Sequence, residues 1–270
     1  MIGRTDLALE YTDERTHTVQ REGNCTITRL IHEGESYITM EVPALSDTPD
    51  TDKLEELTAM ELRKLLPAEG SVLVVGVGNR AVTPDALGPL MAEKIFPTRH
   101  IKGEWARVAG LSGLRSVSVI SPGVLGCTGI ESGEAARALA AALKPSAVIA
   151  VDALAAKSLK RLGCTVQLST AGLSPGHGVG NKRPELNRAS MGIPVISLGI
   201  PTVVEASLLA FELLGREVDE EIAPRGEPMV VTPREIDLVV ERGARLLAMA
   251  VNRALNPSLS REEFRMLVAE

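Results

Sequence analysis

From Ser71 onward, short apolar runs alternate with helix-length segments, and this alternation constrains the fold more than any other feature. "SVLVV" leads through a Gly-rich loop into "DALGPLMAEKI". "SVSVI" and "SAVIAV" bracket the Ala-rich "GEAARALAAAL". "CTVQL" and "IPVISLG" follow, and "TVVEASLLAFELL" reads as a helix. Continuous apolar runs of this length suit strands buried on both faces. Their alternation with helices predicts an α/β fold, a three-layer sandwich around a largely parallel mixed sheet. Aromatic residues make up only 2% of the 270-residue chain, so its core is built from Val, Ile, Leu, Ala and Met, as such a sheet requires.

The first fifty residues differ. They are polar, with alternating runs "CTITRLI" and "SYITMEV" that predict strands at a sheet edge or in a small hairpin. The expected organisation is therefore one α/β domain over residues 1–270, with residues 1–50 as a strand-rich extension packed on it. "LSDTPDTD" punctuates the two parts, and Asp52 with Glu55 predicts a capping box for the helix carrying Leu54, Leu57, Leu62 and Leu65. Two later helices are expected to open at Thr232, in "TPRE", and at Ser260, in "SREE". No internal repeat or low-complexity tract is present.

A net charge of −6 argues against a general nucleic-acid binder, which carries a basic footprint. The beginning of the chain has no apolar signal-like stretch, and no run of about 18 uncharged apolar residues occurs, so a cytoplasmic protein without membrane contact is expected. Cys25, Cys127 and Cys164 are odd in number and widely spaced, which fits reduced spectator thiols better than disulfides or a zinc site.

In open α/β sheets, functional groups gather at the carboxyl ends of strands. Four loops there carry unusual polar content: one with Asn79, Thr83 and Asp85; "SPGVLGCTGIE", ending in Glu131; the point where "AVIAV" meets Asp152; and a long stretch with His177, Asn181, Lys182 and Arg183. "GVGNRA" matches a GxGxxA phosphate-binding pattern. Asp85, however, falls near the expected helix start, where its charge would repel a phosphate, and no Walker pattern exists. Asp85 and Asp152 each fall just past an apolar strand. If those strands are neighbours, the two carboxylates share a crevice and can divide acid and base roles. Alternatively, each simply caps a following helix. With His177 they would also suit an open divalent-metal site. Ser112, Ser174 and Ser197 lack a nucleophile elbow, and His17, His32 and His100 read as solvent-facing.

Taken together, "GVGNRAVTPDALGP", "TRHI", "SPGVLGCTGIES", "VIAVDALAAKS", "PGHGVGNKR" and "GIPVISLGIPTVVEA" resemble the germination protease family of spore-forming bacteria, as do "RTDLALE" and "SYITMEV" near the start. The resemblance covers roughly residues 4–210 in consistent order and spacing. It implies an endopeptidase that degrades small acid-soluble spore proteins during germination, in the cytoplasm of the forespore and the spore core. It further implies a homotetramer, made as a zymogen, with a fold similar to hydrogenase-maturation endopeptidases and no cofactor. The family is grouped with atypical aspartic peptidases, and its proposed catalytic pair matches Asp85 and Asp152.

Two departures stand out. His177 occupies a position where the family usually has Ser. The family's processing point matches the junction between Arg4 and Thr5, which leaves almost no propeptide upstream, so the chain reads as near-mature or as differently controlled. The expected mechanism is metal-independent hydrolysis by the Asp pair, with Asn79 or Asn181 near the oxyanion and Glu131 orienting a neighbour. Lys182 and Arg183 would contact acidic substrate side chains or simply be solvated. The competing readings are a metallopeptidase using Asp85, Asp152 and His177, and a non-catalytic module binding a nucleotide or a spore protein.

Overall fold

The computed structural model describes residues 5–10, 17–48, 50–174, 184–214 and 229–268. Strands β1 (His17–Glu22), β2 (Cys25–His32) and β3 (Glu35–Glu41) precede helix α1 (Asp52–Leu65). The chain continues through β4 (Val72–Gly76), α2 (Leu87–Ala92), α3 (Gly103–Val108), β5 (Val117–Ile120), α4 (Leu125–Thr128), α5 (Ser132–Leu143) and β6 (Ala147–Ala156). It ends with β7 (Thr165–Ser169), α6 (Arg188–Met191), β8 (Val195–Glu205), α7 (Ala206–Leu214), β9 (Val230–Val231), α8 (Ile236–Leu255) and α9 (Arg261–Val268).

The strands form one mixed sheet in the order β1-β2-β3-β7-β8-β6-β4-β5, with β9 against β8. Its centre, β5-β4-β6-β8, is parallel. The polar N-terminal strands form an antiparallel wing that joins this centre where β3 pairs β7. This agrees with the expected edge position of those strands.

Side-chain alternation decides what each sheet face meets. On one face, Val72 and Val74 of β4, Ile149 and Val151 of β6, and Ile196 and Leu198 of β8 pack with α1, α2 and α8. The other face offers Leu73, Val75, Val148 and Ala150 to Ala136 and Ala140 of α5. The result is the expected three-layer sandwich. Helix α8 anchors it: Val240, Ala244, Leu247 and Val251 recur at helical spacing and are almost wholly buried. Each large aliphatic side chain so buried contributes about 1.5–3 kcal/mol. Ion pairs tie α1 to β2 and to α9 through carboxylates that are themselves buried. Glu61 of α1 binds Arg29 and Lys64, each at 2.7 Å, and Arg261 of α9 grips Glu55 at 2.8 Å.

Three local expectations are corrected. Thr202 to Glu205 continue β8 rather than opening a helix, because β6 runs alongside them and supplies partners at Ala155 and Ala156. Helix α1 is preceded by Thr51, with no side-chain cap, since the Glu55 carboxylate is committed to Thr51 and Arg261. Helix α8 opens at Ile236, after a turn closed onto the Pro233 carbonyl at 3.2 Å, rather than at Thr232. The start at Ser260 forms as expected: its N–H donates to the Glu263 carboxylate (2.7 Å) and its hydroxyl accepts from the Glu263 N–H (3.2 Å).

Candidate active site

The carboxyl ends of β4, β6 and β8 open into a cleft of about 680 Å³. Strand β4 ends at Gly76, and the N–H of Val77 still reaches the Val151 carbonyl of β6 at 2.8 Å. The chain then turns at Gly78, whose φ of +122° suits glycine. A Cβ there would stand 2.0 Å from the Asp85 carbonyl oxygen, so only glycine lets the loop close onto Asp85.

Asp85 ends a single 3₁₀ turn, Thr83–Asp85, which Thr202 of β8 fixes by donating its hydroxyl to the Pro84 carbonyl at 2.7 Å. The Asp85 carboxylate accepts the Asn79 N–H at 2.7 Å. That bond runs backward into the loop, while α2 opens after Ala86 with no side-chain cap. The helix-cap alternative for Asp85 is therefore not what forms. The same bond spends on an internal carboxylate a loop N–H that a phosphate would have needed.

Asp152 sits inside β6, not beyond its end as the sequence suggested, because β8 extends far enough to keep that strand paired. A strand position cannot cap a helix, so that alternative falls too. Its carboxylate accepts the N–H of Ala153 at 2.8 Å, and the residue is 7% exposed. By alternation it lies on the sheet face opposite α8, in register with Gly199 of β8, which in turn faces Gln167 of β7. Here the floor of the cleft turns polar, lined by the buried Gln167 and Ser169 and by Ser197.

Strands β4 and β6 pair directly, so Asp85 and Asp152 both line this one cleft, across adjacent strands. Asn79 contributes its main-chain N–H, while its side-chain oxygen accepts from Ala81 at 3.0 Å and serves the turn. Glu131 stands at the N-terminal boundary of α5, outside the residues lining the cleft. Thr5 does line the cleft. Arg4, His177, Asn181, Lys182 and Arg183 lie outside the described residues, and with them the proposed third metal ligand. Among the described residues, no cluster of three or more His, Cys, Asp or Glu is arranged to hold a metal.

Sequence reasoning missed Asp6, Tyr37, Lys157 and Gln167, all of which line the cleft. A signal for Gln167 existed: "TVQLS" alternates polar and apolar, so one face of that strand had to be polar. Two of the thiols are held in their neutral form. Burial first, then Glu22 and Glu41, push Cys25 up to about 11, and burial with Asp47 also raises Cys164. Among the described residues, no helix is long and apolar enough to cross a membrane.

Fold and cleft together define an α/β sandwich in which one carboxylate just after β4 and another within β6 line the same cleft. The description "Germination protease" matches residues 13–214, and the chain belongs to that family, which makes it a protease of spore germination. It is 39% identical to the germination protease of Caldanaerobacter subterraneus, over 98% of each chain. It is 35% identical to that of Clostridium tetani, over 97% of this chain and 98% of the relative. Among solved structures, the [NiFe] hydrogenase maturation protease HycI from Thermococcus kodakarensis aligns over 71% of this chain and 98% of its own, with 18% identity and a TM-score of 0.40.

Proposed function

We propose that this protease acts as an endopeptidase on small acid-soluble spore proteins in the spore interior, hydrolysing peptide bonds with the Asp85–Asp152 pair. The observation that carries this reading is the convergence of both carboxylates on one cleft, each held by a main-chain N–H. In the proposed step, one carboxylate takes a proton from water as its oxygen attacks the peptide carbonyl. The other, protonated beforehand, delivers its proton to the departing amine nitrogen, and the C–N bond breaks. Two acidic groups sharing a site suit this division of roles, because repulsion between like charges favours a proton on one of them.

The substrate assignment rests on family membership, and it suits a chain of net charge −6 that must recognise a DNA-coating protein rather than DNA. The test is incubation of the purified chain with a small acid-soluble spore protein, with and without a chelator. Discrete fragments that persist under chelation support the Asp pair. Cleavage lost to chelator and restored by a divalent cation would replace this mechanism with the metal site that includes His177.

A further inference from the structure

A short segment ahead of β1 is built into the cleft. Residues 5–10 lie against β6 and β7, with Leu7 and Ala8 fully buried. Gln167, 6% exposed, holds this strap with both ends of its amide: the oxygen accepts the Ala8 N–H at 2.8 Å, and the nitrogen donates to the Asp6 carbonyl at 2.7 Å. Asp6 then grips β6 twice. Its N–H donates to the Ala155 carbonyl at 2.9 Å, and its carboxylate accepts the Ala155 N–H at 2.8 Å. Further along, the Glu10 carboxylate accepts the N–H groups of Lys157 at 2.7 Å and Ser158 at 3.0 Å.

These contacts fall at a telling place. Strand β4 stops pairing with β6 at Val151, and Asp6 takes up the peptide groups of Ala155. Between the two lies Asp152, with its carboxylate on the Ala153 N–H. One residue beyond Leu154, the β6–β8 register shifts, so this stretch of strand is irregular on its β8 side. Strand β4 thus fixes β6 immediately before Asp152, and the strap fixes it three residues after.

We propose that Asp6 and Gln167 are positioning residues: the strap sets the backbone carrying Asp152 and so holds that carboxylate in working orientation toward Asp85. This inference rests on the reading of Asp152 as catalytic. A carboxylate displaced by a fraction of an ångström loses rate without losing substrate affinity, since the strap acts through the catalytic group.

The experiment compares Asp6→Ala, Asp6→Asn and Asp152→Asn in the full chain, measuring kcat and KM on a small acid-soluble spore protein together with thermal midpoints. Asp6→Ala is expected to lower kcat about tenfold to a hundredfold with KM within about twofold. Asp6→Asn keeps an acceptor for the Ala155 N–H and is expected to restore kcat to within about threefold of the parent. Unchanged kcat in Asp6→Ala while Asp152→Asn is inactive would overturn the strap's role alone, and so would a failure of Asn to rescue. Full activity in Asp152→Asn would instead overturn the reading beneath it. If Asp6→Ala does not fold, Gln167→Glu carries the test. It keeps the acceptor for Ala8 and loses the donor to Asp6, so a parental kcat there would likewise sink the proposal.

Discussion

The two faces of the sheet use the same strands for opposite ends. Toward α1, α2 and α8, side chains from β4, β6 and β8 form a continuous aliphatic layer with almost no exposure. On the other face the aliphatic layer against α5 gives way to a cleft floored by Asp152, Gln167, Ser169 and Ser197, and aliphatic packing resumes at Leu7, Ala156 and Val204. Because alternation assigns successive residues to opposite faces, β6 can carry Ile149 and Val151 for the core and Asp152 for the cleft within four positions. One face is core throughout, whereas the other combines core packing against α5 with the cleft proposed to carry the chemistry. Substitutions in core and cleft should therefore separate cleanly.

The largest effect is expected on the cleft face. Asp85→Asn or Asp152→Asn should lower the cleavage rate by about a thousandfold with an unchanged melting temperature, as fragment formation and calorimetry would report. Activity near the parental level in either variant breaks the functional half of the comparison. Ile149→Ala, opposite in facing, should cost about 2–5 kcal/mol in urea unfolding yet leave kcat intact in the folded fraction. A matching loss of kcat would show that the two faces are mechanically coupled.

Gly199→Ala probes the boundary between these cases. A Cβ there would approach Leu154 Cγ to 2.5 Å and the Asp152 carbonyl oxygen to 2.7 Å, so something must move. About 1–3 kcal/mol of destabilisation is expected together with reduced activity, because the strand that shifts is the one carrying Asp152. Stability lost without activity would mean that the shift is absorbed on the β8 side.

The smallest effect concerns pH. Burial tends to raise the Glu61 carboxyl, but hydrogen bonds from Arg29 and Lys64 outweigh it and hold it below its usual value. A depressed folded-state value means the stabilisation is present above the unfolded carboxyl range and is lost as pH falls through the folded value. The urea midpoint of the parent should therefore decline on acidification below about pH 4 more steeply than that of Glu61→Gln. Equal slopes would show that this buried carboxylate adds nothing to acid sensitivity.

Much of this architecture was readable in the chain. Apolar runs at strand length, the Ala-rich helix at α5 and the stripe along α8 fix a layered α/β fold, since no other arrangement buries those residues with their periodicities. The loop from Gly76 was legible as a poor phosphate cradle, because a carboxylate at its helical end repels phosphate, while spacing alone left open whether Asp85 faced a substrate or capped the next helix. Where the reading failed, pairing overrode local propensity. Asp152 looked like a residue past a strand, and "TVVE" like a helix start, but each strand extends because the other lies beside it, and no single segment records its neighbour's length.

The strap is the clearest case of the same limit. "TDLALE" carries no hydrogen-bonding signature of its own, and Gln167 stands some 160 positions away. Local pattern, set by side-chain volume and periodicity, determined the layers, but it left each aspartate open between catalysis and helix capping until the family resemblance favoured catalysis. Only the tertiary structure decided that the two aspartates share a cleft and that residues 5–10 brace it, because peptide groups left open at the edge of β6 take their partners from wherever the fold brings one within reach.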